Sequence, residues 1–479
     1  MKHPFIDQFE RYQQDFSRRT FLQKSFAGIG GMALSHLLGA SSKGVSLPFL
    51  QSQGGLHFPA KAKRMVHLCM AGGPSHLDSF DPKPQLDALH GQLFPESFTA
   101  GQQLAQLQGS KLIARGSFTK FKRWGECGTE ISEIFPHIGS IADEICVIRS
   151  MVTEQINHDP AHAFMNSGSI LKGRPSMGSW LLYGLGSETQ DLPGYVVMVS
   201  RGAEVDQPIS ARQWSAGFLP SKFQGVQFQS KGSAVHYVGS PNGVCQSTQR
   251  QVIDEVQRLN GMLRDERIDP EIDTRISQYE MAFRMQSSVP ELSDMSGEPQ
   301  HILDLYGVKN PGDGSFASNC LLARRMLERG VRFVQLYHRG WDHHDDIEKK
   351  MTASAKLTDQ ASAALVKDLK QRGMLEDTLV IWGGEFGRTP MGQGTGRDHH
   401  IKAFSLWMAG AGIKPGIVHG ATDELGYTSV QDIVHVRDLH ATLLHQFGID
   451  HARFTTKFQG LDYKLTGVEP ATAVKGIMM

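Results

Sequence analysis

The stretch Thr378–His400, TLVIWGGEFGRTPMGQGTGRDHH, carries side chains that could hold a metal ion. An apolar run, Thr378–Trp382, ends in Gly383-Gly384 and then delivers Glu385 and Arg388. Asp398, His399 and His400 follow on what reads as the next loop. Carboxylate oxygens and imidazole nitrogens together suit zinc, manganese or iron. Three other stretches repeat the pattern. RMVHLCM (Arg64–Met70) runs into AGGPSHLDSFDP, with His76 and Asp78. NHDPAHAFMNSG follows the run Ile145–Met151 and sets His158 and His162 four residues apart. VRFVQLY (Val331–Tyr337) leads to HRGWDHH, with Asp342, His343 and His344. One such cluster means little. Four, each after an apolar run, suggest one site fed by several strands, because sites in open α/β sheets gather outside the carboxyl ends of the strands.

The chemistry such a site could do is ester hydrolysis. A pair of divalent ions lowers the pKa of a bound water and clamps an anionic transition state. Arg388 and Arg174 are candidates to pair with a tetrahedral anion, and either could equally be a structural ion-pair partner. With Pro160 as a first helical residue, His158 sits at a helix entrance, where backbone amides favour anions. It is a candidate metal ligand and a candidate nucleophile, and His162 a natural second ligand one turn on. His343 is expected to turn away or to support its neighbours. Ser176, in RPSMGS, is a fallback nucleophile whose plainer reading is a helix cap.

The elements that must position these residues alternate. Strands are expected at Arg64–Met70, Ile145–Met151, Tyr195–Ser200, Val331–Tyr337, Thr378–Trp382 and Phe404–Ala409. Helices are expected at Glu130–Asp143, Arg174–Gly186, Gln246–Glu266, Glu271–Ser287, Ser315–Gly330, Ile347–Arg372 and Val436–Phe447. Alternation of this kind predicts a three-layer α/β/α architecture around a mostly parallel sheet. Residues 83–128 and 201–310 read as insertions, the first as a surface excursion that walls the site.

Composition sets the bounds. The 479 residues are 40% hydrophobic and 20% charged, as in a globular enzyme. Lys+Arg and Asp+Glu balance at 49 each, so no basic field points to nucleic acid. Five cysteines without a CxxC pair make a disulfide framework a poor reading. There is no GxSxG, P-loop or GxGxxG after residue 40. Ser17-Arg18-Arg19-Thr20-Phe21-Leu22 precedes the mildly apolar run Phe26–Leu38, which has the form of a twin-arginine signal. That run is too short to span a bilayer, and Leu38-Gly39-Ala40 is a plausible cleavage point. Residues 41–62 read as a linker. The expected partner on this route is the twin-arginine translocase, the expected location periplasmic or otherwise extracytoplasmic, and no transmembrane span is expected.

AGGPSHLDSFDPKP, GWDHH, TLVIWGGEFGRTP, GRDHH and GATDELG together resemble the family known as domain of unknown function 1501, over nearly the whole of the chain after residue 40. That family is similar to the alkaline phosphatase and sulfatase superfamily. The resemblance implies an alkaline-phosphatase-like fold with a mononuclear or dinuclear metal site. It also implies roles, residue by residue. The first-strand ligand falls on Asp78 or His76. Asp342 and His344 resemble the Asp/His pair of one metal, and His399 the last histidine. The superfamily's other Asp–His pair falls on Glu385 and Phe386, of which only Glu385 can ligate. Sulfatases carry a Cys, then Pro two residues on, then a helix ending in Thr-Gly. Here that frame reads His158-Asp159-Pro160 through Ser167-Gly168, so formylglycine chemistry is excluded.

The reading is therefore an exported, metal-dependent hydrolase of sulfate or phosphate esters. Its ligands are expected among His76, Asp78, His158, His162, Asp342, His344, Glu385, Asp398 and His399. One or two divalent ions are expected, with zinc, manganese, calcium and iron not distinguished. Attack falls to a metal-bound water or, second, to His158, with Arg388 and Arg174 at the anion. The substrate is a small anionic ester or a sulfated glycan. The rival is a catalytically inactive relative that binds a glycan or a partner protein. A metal-dependent mutase or transferase is a third, weaker fit.

Overall fold

Residues of strand Arg64–Met70 alternate between two apolar layers, and this alternation organises the molecule. Met65 and Cys69 face one layer, and Val66, Leu68 and Met70 the other. A strand buried on both faces needs helices above and below, and the chain supplies them. The computed structural model describes residues 48–479 apart from 103, 201, 203–206, 232–233, 236–244 and 267–269. The twin-arginine segment and its cleavage point lie outside the described residues.

The main sheet has nine strands. In chain order they are β1 (Arg64–Met70), β2 (Ile145–Val152), β3 (Tyr195–Ser200), β4 (Val226–Gln227), β5 (Phe333–His338), β6 (Thr378–Gly383), β7 (Phe404–Ala409), β8 (Ile417–His419) and β9 (Val434–His435). Across the sheet the order is β8-β2-β7-β6-β1-β5-β3-β4, with β9 also pairing with β2. Only β7 runs against the rest, antiparallel to β2 on one side and β6 on the other. The central trio β6-β1-β5 is in parallel register, Met65 facing both Leu379 and Phe333. Their carboxyl ends therefore open on the same edge.

One face of the sheet packs on α1 (His158–Ser167), α2 (Met177–Leu185) and α7 (Val436–Gln446), through Phe164, Trp180 and Leu443. The other packs on α5 (Phe316–Glu328) and α6 (Ile347–Gln371), through Leu321, Met326 and Leu365. Between them in the chain, α3 (Gln246–Glu266) and α4 (Pro270–Ser293) pair with each other. The architecture is the expected three-layer α/β/α. No described helix is long and apolar enough to cross a membrane.

Three local expectations differ. The helix expected at Glu130–Asp143 is a hairpin, Phe121–Trp124 with Thr129–Ser132, followed by the short helix Pro136–Gly139. Pro136 disfavours helix in the residue before it. Gly139 gives space to Trp124, whose ring would lie 2.3 Å from a β-carbon there. Residues 48–62, expected to be linker, are docked: Leu50 is buried and the Phe49 ring stacks on Tyr183 at 4.8 Å. The expected loop around Asp398 is the hairpin Gly387–Gln393/Gly396–His400, in which His399 pairs with Arg388.

Candidate metal centre

Three chain reversals meet at the carboxyl edge of the central trio. After β1 the chain turns at Gly72 and Gly73, with φ of 123° and 76°. A β-carbon on Gly72 would come within 2.4 Å of the Asp342 backbone nitrogen, and one on Gly73 within 2.6 Å of the Phe386 ring. Only glycine lets the turn after β1 lie against those after β5 and β6. Asp342, His343 and His344 follow β5, and Glu385 follows β6. α1 enters from β2 with its first residue, His158, aimed into the same place. His399 arrives on the hairpin.

Glu385 is fully buried and accepts the Gly72 N–H at 3.0 Å on Oε1 and 3.2 Å on Oε2. His158 Nδ1 lies 2.7 Å and His162 Nε2 3.3 Å from its Oε1. Burial favours the neutral acid, but His162 and His158 outweigh it and hold the carboxyl at about 2. Asp342 is the second hub. Its Oδ1 meets Arg388 Nη2 at 2.6 Å, His344 Nε2 at 2.9 Å and His399 Nε2 at 3.1 Å. Its Oδ2 lies 3.0 Å from His158 Nε2. Burial works against its charge, yet the His158 hydrogen bond and the Arg388 charge keep it far below the usual carboxylate range. His158 thus bridges the two carboxylates. Burial lowers its pKa, but the adjoining carboxylates of Asp342 and Glu385 prevail and raise it to about 9. Burial keeps His162 and His399 lowered, with Glu385 and Asp342 respectively opposing.

The donor set fits a divalent ion. His399 Nδ1 lies 2.7 Å from the Ile156 carbonyl oxygen, and His344 Nδ1 faces Gln393 Oε1. The Gln393 amide is oriented by its Nε2, which donates to Gln106 Oε1 at 2.7 Å. Carbonyl oxygens only accept, so both Nδ1 atoms carry protons, and in that tautomer each imidazole turns an Nε2 lone pair inward. Those two Nε2 atoms stand 2.9 Å apart, beside Asp342 Oδ1. Acceptors gathered so closely call for a cation between them. Ligand atoms about 2.0–2.2 Å from one tetrahedral ion stand roughly 3.3–3.5 Å apart, a few tenths more than here. On the other side of His158, both ring nitrogens of His162 are buried without a well-formed hydrogen bond. Ligand atoms of His158, Asp342 and His399, and likewise those of His158, His162 and Glu385, lie within 4.8 Å of one another.

His158, His162, Asp342, His344, Glu385 and His399 are therefore brought together. Phe386 walls them, its ring 5.0 Å from that of His158 and 4.6 Å from that of His399. His343 turns away to the Gly340 carbonyl oxygen at 3.0 Å; burial and the Arg388 charge push its pKa down to about 3.

Six expected site residues are engaged otherwise. Asp78 is fully buried against Arg397, with Nε at 2.8 Å from Oδ2, and also accepts from Ser75 Oγ at 2.5 Å and Phe118 N–H at 3.2 Å. Its oxygens are saturated by fixed donors. His76 Nε2 lies 3.0 Å from the Gly426 carbonyl oxygen. Asp398 Oδ2 accepts the N–H groups of Gln106 and Leu107 at 2.8 and 3.1 Å, capping the 105–107 turn. Arg388 does reach the centre, but as a buried tie. Its Nε donates to Gly73 O at 2.9 Å, Nη1 to Arg397 O at 3.1 Å, and Nη2 to Gly72 O and Asp342. Arg174 is elsewhere, with its guanidinium 4.0 Å over the Tyr463 ring. Ser176 caps α2, accepting from the Ser179 N–H at 3.4 Å. Sequence reasoning missed Gln393, Arg397 and the Ile156 carbonyl. Arg397 stands beside Asp398 in GRDHH, but nothing in that run names its partner.

Residues 62–478 match the family described as "Protein of unknown function (DUF1501)", and the chain belongs to it. No curated protein sequence matches. Among solved structures, the chain is similar to the PsFucS1 sulfatase from Pseudoalteromonas sp. at 14% identity, covering 81% of this chain and 68% of that one, with a TM-score of 0.32. A protein in the alkaline phosphatase superfamily from Vibrio parahaemolyticus is 11% identical, with coverage of 86% and 70% and a TM-score of 0.33. The C-terminal periplasmic domain of EcEptC from Escherichia coli, in complex with Zn, is 8% identical, with coverage of 85% and 88% and a TM-score of 0.35.

Proposed function

We propose that the protein is a metal-dependent hydrolase of sulfate or phosphate esters. The observation that carries this is the convergence of Asp342 Oδ1 with the inward lone pairs of His344 and His399, within 3.1 Å. Asp342, His344 and His399 would hold one ion, and Glu385 and His162 offer donors for another, with His158 between the two groups. A divalent ion there supplies an activated water and positive charge for an anionic ester. The protein's own part is to fix the donors. Gln393 and Ile156 set two imidazole tautomers, the Gly72 N–H orients Glu385, Arg388 holds Asp342 in place, and Phe386 keeps water from one side.

A second reading has one observation in its favour. By the sequence resemblance His158 falls where the superfamily keeps its nucleophile, yet both its nitrogens face carboxylates, 2.7 and 3.0 Å away. That suits a relative that keeps the fold and binds a glycan or a partner without turnover. Elemental analysis of the purified protein, with a screen of aryl sulfates and aryl phosphates, separates the readings. Bound metal with turnover, both lost in His158→Ala, is expected. Bound metal without turnover on any ester moves the assignment to the binding protein, and absence of metal after reconstitution sinks both metal roles.

Export through the twin-arginine route rests on Arg18 and Arg19. Changing both to Lys is expected to leave folded protein inside the cell, and normal export of that variant would refute the route.

A further inference from the structure

Arg174 was expected at the reacting anion and lies instead in a separate cavity of about 440 Å³. That cavity is lined by Ser167 and Gly168, at the far end of α1 from His158. A helix of ten residues is about 15 Å long, so the cavity is distinct from the candidate metal centre. We propose that it binds an anionic sugar, with Arg174 gripping the sugar's carboxylate or sulfate group. This does not rest on the metal reading.

The charges and surfaces carry the inference. Among the described residues, the side chains of Arg174 and Lys464 have no hydrogen-bond or ion-pair partner. Both line the cavity. The Arg174 guanidinium carbon lies 4.0 Å from the centre of the Tyr463 ring and 5.9 Å from that of Phe218. The ring holds the group in the cavity, and its N–H donors, unused by the described residues, suit the two parallel bonds with which arginine grips an oxyanion. A third cation, Arg437, also faces the cavity. It is paired with Glu154, which also lines the cavity and offsets its charge, and it lies 5.0 Å over Phe164 with its Nε buried without a partner. An inorganic anion would need only the cations. Trp180, Phe164 and Leu465 add an apolar wall, and the exposed Asp462 adds an acceptor at the rim. A sugar matches this set: one C–H face, hydroxyl donors and an acidic substituent. The volume lies within the usual range of small-molecule sites.

Trp180 lines the cavity, so its fluorescence reports occupancy. The probes are glucuronate, glucose 6-sulfate, methyl glucoside and inorganic sulfate, titrated against the full chain. Saturable binding of glucuronate or glucose 6-sulfate is expected, and which of them binds identifies the acidic group. Methyl glucoside and inorganic sulfate should bind at least tenfold more weakly. Arg174→Ala is expected to weaken binding roughly tenfold or more, the loss of a charged hydrogen-bond pair. Arg174→Lys should recover only part of it, and His399→Ala should leave affinity unchanged. If Arg174→Ala does not fold, Lys464→Ala gives the same test, with a several-fold loss expected. The proposal is overturned if neither anionic sugar binds, if the cavity variants bind as the wild type does, or if inorganic sulfate binds as tightly as the sugars.

Discussion

Asp78 and Asp342 both follow central strands of the sheet and stand at the same edge, and both are charged, yet they have opposite surroundings. Asp78 faces a guanidinium that is itself wholly buried, and its remaining lone pairs take a serine hydroxyl and a backbone N–H. Arg397 is tied in turn to the carbonyl oxygens of Arg115, Thr389 and Gly116. Nothing there has to move or exchange. Asp342 faces three imidazoles and one guanidinium. Unlike a guanidinium, an imidazole can give up a ring proton and offer the lone pair to a metal ion. With arginine as its one charged partner Asp78 is a structural pin; Asp342 has an arginine too, and the three histidines beside it are what suit it to a metal ion. The two carboxylates also share a frame, because the 387–400 hairpin supplies Arg397 to the one and His399 to the other.

The sharpest way to break that comparison is Arg397→Ala. It leaves Asp78 charged, buried and unpaired, and is expected to destabilise the fold by about 3–5 kcal/mol. Urea denaturation measures this. Folded molecules of the variant should still bind metal, and a variant of full stability with no metal would reverse the assigned roles.

Gln393→Leu sharpens the other half. It removes the acceptor for His344 Nδ1 and frees the tautomer. Loss of such an outer partner costs about 10–100-fold in metal affinity. Competition with a chromogenic chelator should show that drop, with little change in the urea midpoint. Equal affinity would mean that His344 is not a ligand.

The smallest effect is in pH. In chelator-treated protein His158 titrates at about 9, above its ordinary 6.5, because its bonds to Asp342 and Glu385 outweigh burial. The folded state then holds the proton more tightly than the unfolded state. Its stabilisation is complete below about pH 6.5 and is lost as pH rises through 9. Stability should fall by about 1 kcal/mol per pH unit between roughly pH 7.5 and 8.5. His158→Gln should flatten that slope, while Asp78, whose carboxyl is held below its usual range, contributes nothing to it in this range. An unchanged slope in the variant would show that His158 does not bridge the carboxylates as an imidazolium.

Much of the frame was legible in the sequence. Arg64–Met70, Tyr195–Ser200 and Phe404–Ala409 were read to the residue, since strands buried on both faces are written as apolar runs. The helix expected at Glu130–Asp143 was not, because an apolar spacing interrupted by Pro136 is satisfied equally well by a hairpin and a turn. Of the site, Asp342, His344 and Glu385 follow strand ends as expected and converge with His399, which lies within a hairpin strand and not in the expected loop. Asp78, His76 and Asp398 satisfy the same rule and do not join them.

The sequence by itself determined which residue types reach the carboxyl edge of the sheet, because hydrophobic periodicity sets the strands and the strands set where their following residues emerge. The tertiary structure alone decided which carboxylate receives a guanidinium and which receives imidazoles. Arg397 meets Asp78 across 319 positions of chain, and Arg174 meets Tyr463 rather than the centre. A partner's identity depends on the packing of hairpins and helices against the sheet edge, and no local pattern along the chain encodes that geometry.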